Sequence, residues 1–205
     1  MRSYIIIAVV MIACRPVGFL AMGVKKPAVE NVVSIGNFLQ QSSIQHGRHV
    51  ISSFPGYLSN YMELGLTTIH VFSKSGKAVQ LGPHQIKACG PDPVPFIRDL
   101  DKDKYALSSD SLVLDSITAR LLLPDGAAFH YQRPDSVDFV AVITWAKWIG
   151  RKILNRDVVS CVQAVRENKQ AVFDLIIVNL DKQAVWGSAN LEKVISTRTG
   201  LYVLQ

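Results

Sequence analysis

Cysteine is scarce, with three in 205 residues: Cys14, Cys89 and Cys161. A small fold stapled by disulfides is therefore excluded, because such scaffolds need several pairs. The chain has no glycine-rich phosphate loop and no Gly-x-Ser-x-Gly elbow, so nothing in it points to P-loop phosphate chemistry or to a serine hydrolase. It has no internal repeat and no low-complexity tract. Aromatics make up 8% and charged residues 19%, against 49% hydrophobic residues, the balance of a globular chain and not of a disordered one. The net charge of +6 is scattered. Its densest stretch, Trp148 to Arg156, sits among apolar residues and forms no continuous basic face interleaved with aromatics, so nucleic acid is not expected as a partner.

What is present begins with "MRSYIIIAVVMIACRPVGFLAMG". Arg2 gives a positive start, Tyr4 to Ala13 an apolar core, and Ala21-Met22-Gly23 small residues at a cleavage spacing. This pattern predicts a signal peptide or membrane anchor over residues 1–23, and an extracytoplasmic protein, periplasmic, secreted or membrane-anchored. Arg15 and Pro16 interrupt the run, which falls short of the ~20 apolar residues of a membrane span. A buried first strand is the competing reading, because "YIIIAVVMIA" is rich in β-branched residues.

Residues 24–111 read as an irregular N-terminal region. "ENVVSIGNFLQQ" is an amphipathic helix candidate, and "SIQHGRHVISSFPGYLSNYMELG" reads as loop, punctuated by Pro55-Gly56 and Gly65. "LTTIHVFSKSGKAVQLG" alternates around Ser75-Gly76 and predicts a hairpin from Thr67 to Leu81. "GPHQIKACGPDPVP" is a linker by its prolines and glycines.

From residue 112 to 205 the texture is that of an α/β layered domain. "SITARLLLPDGAAFHYQ" reads as two short strands about a Pro124-Asp125-Gly126 turn. "SVDFVAVITW" is a continuous apolar run, suited to a strand covered on both faces. Leu154, Val158, Cys161, Val162 and Val165 then fall at helical spacing. "AVFDLIIVNLD" is a second buried strand, expected parallel to the first. "SANLEKVIS" reads as a short helix capped by Ser188, and "GLYVLQ" as a last strand of the same sheet.

Three stretches of this second half carry a likeness. "LLLPDGAAFHY" leading into "VDFVAVITWAKW", then "FDLIIVNLD", then "ISTRTGLYVL", together resemble the thioredoxin-like superfamily, in particular its extracytoplasmic redoxin branch. The resemblance covers residues 112–205. It implies a layered sheet with flanking helices and a loop site after the first strand. Ile149 and Lys152 stand where the resemblance calls for two cysteines, and Arg198 stands where it calls for a cis-proline. A dithiol site needs a low-pKa thiolate and a resolving thiol, and neither residue supplies one. The resemblance therefore implies a non-catalytic binding or structural module, with a groove at Trp145, Trp148, Ile149, Lys152 and Arg198 that takes a protein or peptide partner. Read from the residues alone, Trp145, Trp148 and Trp186 fit a buried core at least as well. Two alternatives stay open. One is an atypical thiol oxidoreductase using Cys89 and Cys161, which can pair in an oxidising compartment, although Cys161 lies on an apolar stripe where a buried inert thiol is the ordinary case. The other is a subunit of a larger envelope assembly, joined through an unpaired sheet edge.

"DKQAVWGSANLEK" resembles the Gly-Ser-x-Asn segment of phospholipase D-like enzymes. That chemistry needs His and Lys where this chain has Asp174 and Ile176, so it is not expected here. His46 and His49 lack a nearby carboxylate or cysteine to complete a metal set. His70, His84 and His130 stand alone. "DLDKDKY" lacks the glycine and glutamate of a calcium loop. No metal and no cofactor is expected.

Overall fold

The computed structural model describes residues 23–81, 92–196 and 202–204. The apolar leader up to Met22, most of the linker, Cys89, His84 and Arg198 lie outside them. No helix among the described residues is long and apolar enough to cross a membrane.

The chain enters as a two-residue strand β1 (Val29–Glu30) and turns into α1 (Val32–Gln40). This helix starts on a reciprocal cap. Ser34 N–H donates to Asn31 Oδ1, and Asn31 N–H donates to Ser34 Oγ, each at 2.9 Å, which satisfies two of the N–H groups a helix start leaves orphaned. The stretch read as loop is next, and here the structure corrects the sequence reading: it holds β2 (Arg48–Ser52) and α2 (Phe54–Leu64). Pro55-Gly56 is no turn. Proline occupies the first turn of α2, where a missing N–H costs nothing, and Ser53 Oγ accepts the Gly56 N–H at 3.2 Å. Gly56 is also needed where it is, because a Cβ there would come within 2.5 Å of Arg120 Cβ. Gly65 then ends the helix at φ 75°.

The hairpin forms as expected. Its first limb is β3 (Ile69–Phe72), and Val79 N–H donates back to Val71 O at 2.7 Å. Two short helices follow, α3 (Val94–Arg98) and α4 (Leu114–Thr118), then β4 (Leu121–Leu122). The helix α4 stands where a strand was expected. Leu114, Ile117 and Thr118 are buried, and three- and four-residue spacing puts them on one helical face.

The centre of the molecule is β5 (Phe139–Trp145), every residue of which is buried. A 3₁₀ turn, Lys147–Ile149, leads into one long helical run made of α5 (Arg151–Ile153), a π-helical stretch Leu154–Val159, and α6 (Ser160–Glu167). The chain returns as β6 (Phe173–Asn179) and β7 (Lys182–Gln183), then α7 (Ser188–Leu191), β8 (Val194–Ser196) and β9 (Tyr202–Leu204). Gly187, at φ 79°, caps α7 in place of Ser188.

The result is a mixed α/β fold around a five-stranded sheet in the order β3-β5-β6-β2-β4. Strands β5 and β6 are parallel, as predicted, with Ala141 opposite Leu175. On the far side of β6 lies β2, also parallel, and the two outer strands β3 and β4 run antiparallel to their neighbours. The sheet thus draws strands from both sides of residue 112. The last strand is a second correction: β9 pairs with β8 in a separate two-stranded sheet and does not join the main one. One face of the sheet, with Ile51, Ala141, Ile143, Trp145 and Ile177, packs on the Leu154–Val165 side of the long helical run. The other face, with Val50, Val140, Val142, Ile176 and Val178, packs on Leu64, Leu114 and Ile117.

Candidate functional site

In open α/β sheets the carboxyl ends of the parallel strands are where ligands gather. Here those ends are Ser52, Trp145 and Asn179, and beneath them lies a buried polar cluster. β6 runs out at Asn179, Leu180 N–H donates to Trp145 O at 2.8 Å, and the next residue, Asp181, is folded inward at 1% exposure. Its Oδ2 accepts two hydrogen bonds, each 2.7 Å, from the Lys147 main-chain N–H and from Asn179 Nδ2. Gln183 Nε2 donates to Asn179 Oδ1 at 2.6 Å and to Asp181 O at 2.8 Å. Asp181 Oδ1 has no partner among the described residues. Burial therefore dominates this carboxyl and pushes it up to about 7, against the pull of its two donors and of Lys147, with Glu30 adding to the rise.

The entering chain straps this end. Lys25 N–H donates to Trp148 O at 2.7 Å, and β1 lies parallel to β7. Lys147 Nζ reaches Glu30 Oε2 at 2.7 Å, and Ser34 Oγ donates to the same oxygen at 2.6 Å. The ammonium is a third exposed while the carboxylate is nearly covered. Beside these main-chain links, Lys147 ties the strap, the loop after β5 and the turn after β6 together, by its main-chain N–H to Asp181 and its ion pair with Glu30.

The expected groove residues have separate fates. Trp145 is 1% exposed and stacks on Phe38 with ring centroids 5.2 Å apart, and its Nε1 has no partner among the described residues. Trp148 and Ile149 are also buried, so these three line the core and no open groove. Lys152 is exposed on the first turn of the long helix. Arg198 is outside the described residues. Ile149 ends the 3₁₀ turn, and Gly150, at φ 87°, makes the bend into α5. Trp186 packs edge-on against Tyr57 and donates through Nε1 to Ser52 O at 3.0 Å.

The pairing of Cys89 with Cys161 falls partly outside the described residues. Cys161 itself is buried on the long helix, and burial, with Asp92 and Asp157 nearby, pushes its thiol up to about 12. That is the reverse of what thiolate chemistry needs. Asp174 takes Arg48 and the Tyr131 hydroxyl at the opposite end of β6, and Ile176 is in the core. Asn190 Nδ2 donates to Trp186 O. His46 is exposed and His49 Nε2 lies 3.3 Å from Gln45 O. No group of three metal-ligating side chains occurs among the described residues. A groove of about 480 Å³ runs along β3 past His70, Ser108, Asp110 and Leu112. His70 is held there by Leu64 O at 2.8 Å, and burial keeps its imidazole below the usual range.

In the sequence Asp181 is only the last residue of the buried-strand stretch "AVFDLIIVNLD". Glu30 and Lys147 went unremarked because their meeting spans 117 residues. No family model, curated protein or solved structure matches the chain.

Proposed function

We propose that the chain is a non-catalytic binding or structural module of thioredoxin-like architecture, held in the cell envelope or secretory compartment by its apolar N-terminus and serving a protein or peptide partner. The observation that carries this reading is the loop after β5. It stands between a central strand and a long helix, where a dithiol would act, and it fills that place with the buried Trp148 and Ile149 and the exposed Lys152. Support for the architecture comes from the neighbours of β5: parallel β6 on one side and antiparallel β3, from the hairpin, on the other. The deeply buried thiol of Cys161 favours a packing role over an oxidoreductase.

The test is reduction of insulin disulfides by the full chain with dithiothreitol as electron donor. The expected rate equals that of dithiothreitol alone. A protein-dependent rate that disappears on Cys161→Ala would overturn the non-catalytic reading.

A further inference from the structure

We infer that the strapped end of the sheet is a membrane-facing surface, which lies flat on an anionic phospholipid bilayer. The inference rests on the tethered reading above and specifies which side of the module faces the lipid.

Three segments make this surface: residues 23–41, 146–155 and 180–187. They are contiguous in space. A Cβ on Gly23 would lie 3.9 Å from Gly150 Cα, Lys25 N–H donates to Trp148 O at 2.7 Å, and Arg151 Nη2 donates to Gln41 Oε1 at 3.4 Å. Strand β1 pairs with β7. Together these segments carry six cations: Lys25, Lys26, Lys147, Arg151, Lys152 and Lys182. Their only acids are Glu30 and Asp181, and both are buried. Lys147 is taken up by Glu30, and Arg156, just beyond the second segment, by Asp157. Lys182 is half-buried and its Nζ donates to Val194 O at 2.8 Å. The three segments therefore present cations and no exposed acid. Beside the cations stand three exposed valines, Val29 and Val32 at 49% and Val33 at 66%. Val32 and Val33 open the first turn of α1, and Val29 lies on β1 just before it.

Exposed apolar residues next to lysines fit an interface whose outer layer is anionic and whose inner layer is hydrocarbon. The sequence supplies the reason to choose a bilayer as the occupant. The apolar run Tyr4 to Ala13 and the stretch Val17 to Val24 precede Lys25 directly, so a chain anchored by them meets the bilayer at this end. A weak apolar patch plus a basic patch is also the pairing needed where one anchor alone binds marginally.

Equilibrium binding of the full chain to vesicles tests the surface, with phosphatidylcholine alone compared with phosphatidylcholine plus phosphatidylglycerol, at low and high salt. Two variants leave the fold intact. In Lys25→Gln plus Lys26→Gln only side chains change, and the bond to Trp148 O is made by main chain. In Val32→Asp plus Val33→Asp the acids sit in the first turn of α1, where they suit the helix dipole. Wild type should prefer the anionic vesicles and lose that preference in high salt. Each lysine near the surface contributes about fivefold, so the double glutamine variant should bind anionic vesicles about 30-fold more weakly. The double aspartate variant should weaken by about tenfold or more. Both variants binding as wild type would overturn the surface and leave the tether standing. Wild type binding neither vesicle would overturn the tether as well, and the insulin assay reads the non-catalytic claim independently of both.

Discussion

The substitution Asp181→Asn should remove a pH dependence from the stability of the fold. The wild-type carboxyl is held up at about 7 in the folded protein, against an ordinary value of 3.8. In acid, below both values, the group is protonated in both states and contributes nothing. As pH rises from about 4 to about 7, the unfolded chain releases the proton and the folded chain keeps it, so folding stability falls. Above about 7 the loss is complete and flat. A separation of that size corresponds to about 4 kcal/mol at most. The substituted asparagine would still accept from the Lys147 N–H and Asn179 Nδ2 through its oxygen, and it carries no charge to bury. Its amide nitrogen takes the place of the unpartnered Oδ1, a cost of about 1–3 kcal/mol that does not vary with pH. The variant should therefore be the less stable protein near pH 4, gain on wild type up to about pH 7, and hold that gain to pH 8. Other carboxyls pull the opposite way: Arg120 holds Glu63 below its usual range, and the Val172 N–H does the same for Asp138. The quantity to read is thus the difference between the two proteins, from urea midpoints at a series of pH values with the slope m held in common. A difference that stays constant within about 0.5 kcal/mol from pH 4 to 8 would refute the burial argument. A difference that grows in favour of wild type would refute even its sign.

Lys147→Met should cost about 3 kcal/mol, because it strands the covered Glu30 carboxylate; thermal melts check this, and protease cleavage near Lys25 should speed up as the strap loosens. Ile143→Ala, deep in the sheet, should cost about 2–5 kcal/mol by its cavity, read by urea denaturation. Cys161 should resist iodoacetamide in the folded protein at pH 8 and react fully once unfolded, with peptide mapping to separate it from the other two thiols; equal rates in the two states would contradict its burial. Trp186→Phe should cost about 1 kcal/mol through the lost bond to Ser52 O, again read by urea denaturation.

The parts of the fold legible in the sequence are those that announce themselves locally. β5 and β6 are continuous apolar runs, and the long helix shows Leu154, Val158, Cys161, Val162 and Val165 on one stripe. β2 did not, because Arg48 and His49 occupy its first two positions and its parallel partner β6 comes 128 residues later at the Arg48–Ile176 pair. α2 was hidden by Pro55-Gly56, a dipeptide that marks turns and first helical turns alike. α4 was hidden by the leucines around it, which read as strand until Leu114 and Ile117 are seen to share a face. At the candidate site the loop after β5 was legible from its tryptophans. Groove and core were both open readings of them, and the core is where they lie, although the stacking of Trp145 on Phe38 depends on where α1 docks. Asp181 and Glu30 are acids like any other until the strap closes over them.

The strand order also sets a sequence of events in synthesis. β2 and β3 are made early, yet each has its hydrogen-bonding neighbour among β5 and β6, which are made late. Until Asn179 has left the ribosome, the two early strands have no complete sheet to join, and the apolar side chains of Val50, Ile51 and Val71 have no opposite face. Hydrophobic surface of this kind, waiting for distant partners, makes folding slow and draws chaperones or premature association. A chain truncated before β6 would therefore accumulate as aggregate, because β2 and β5 would lack the strand that lies between them.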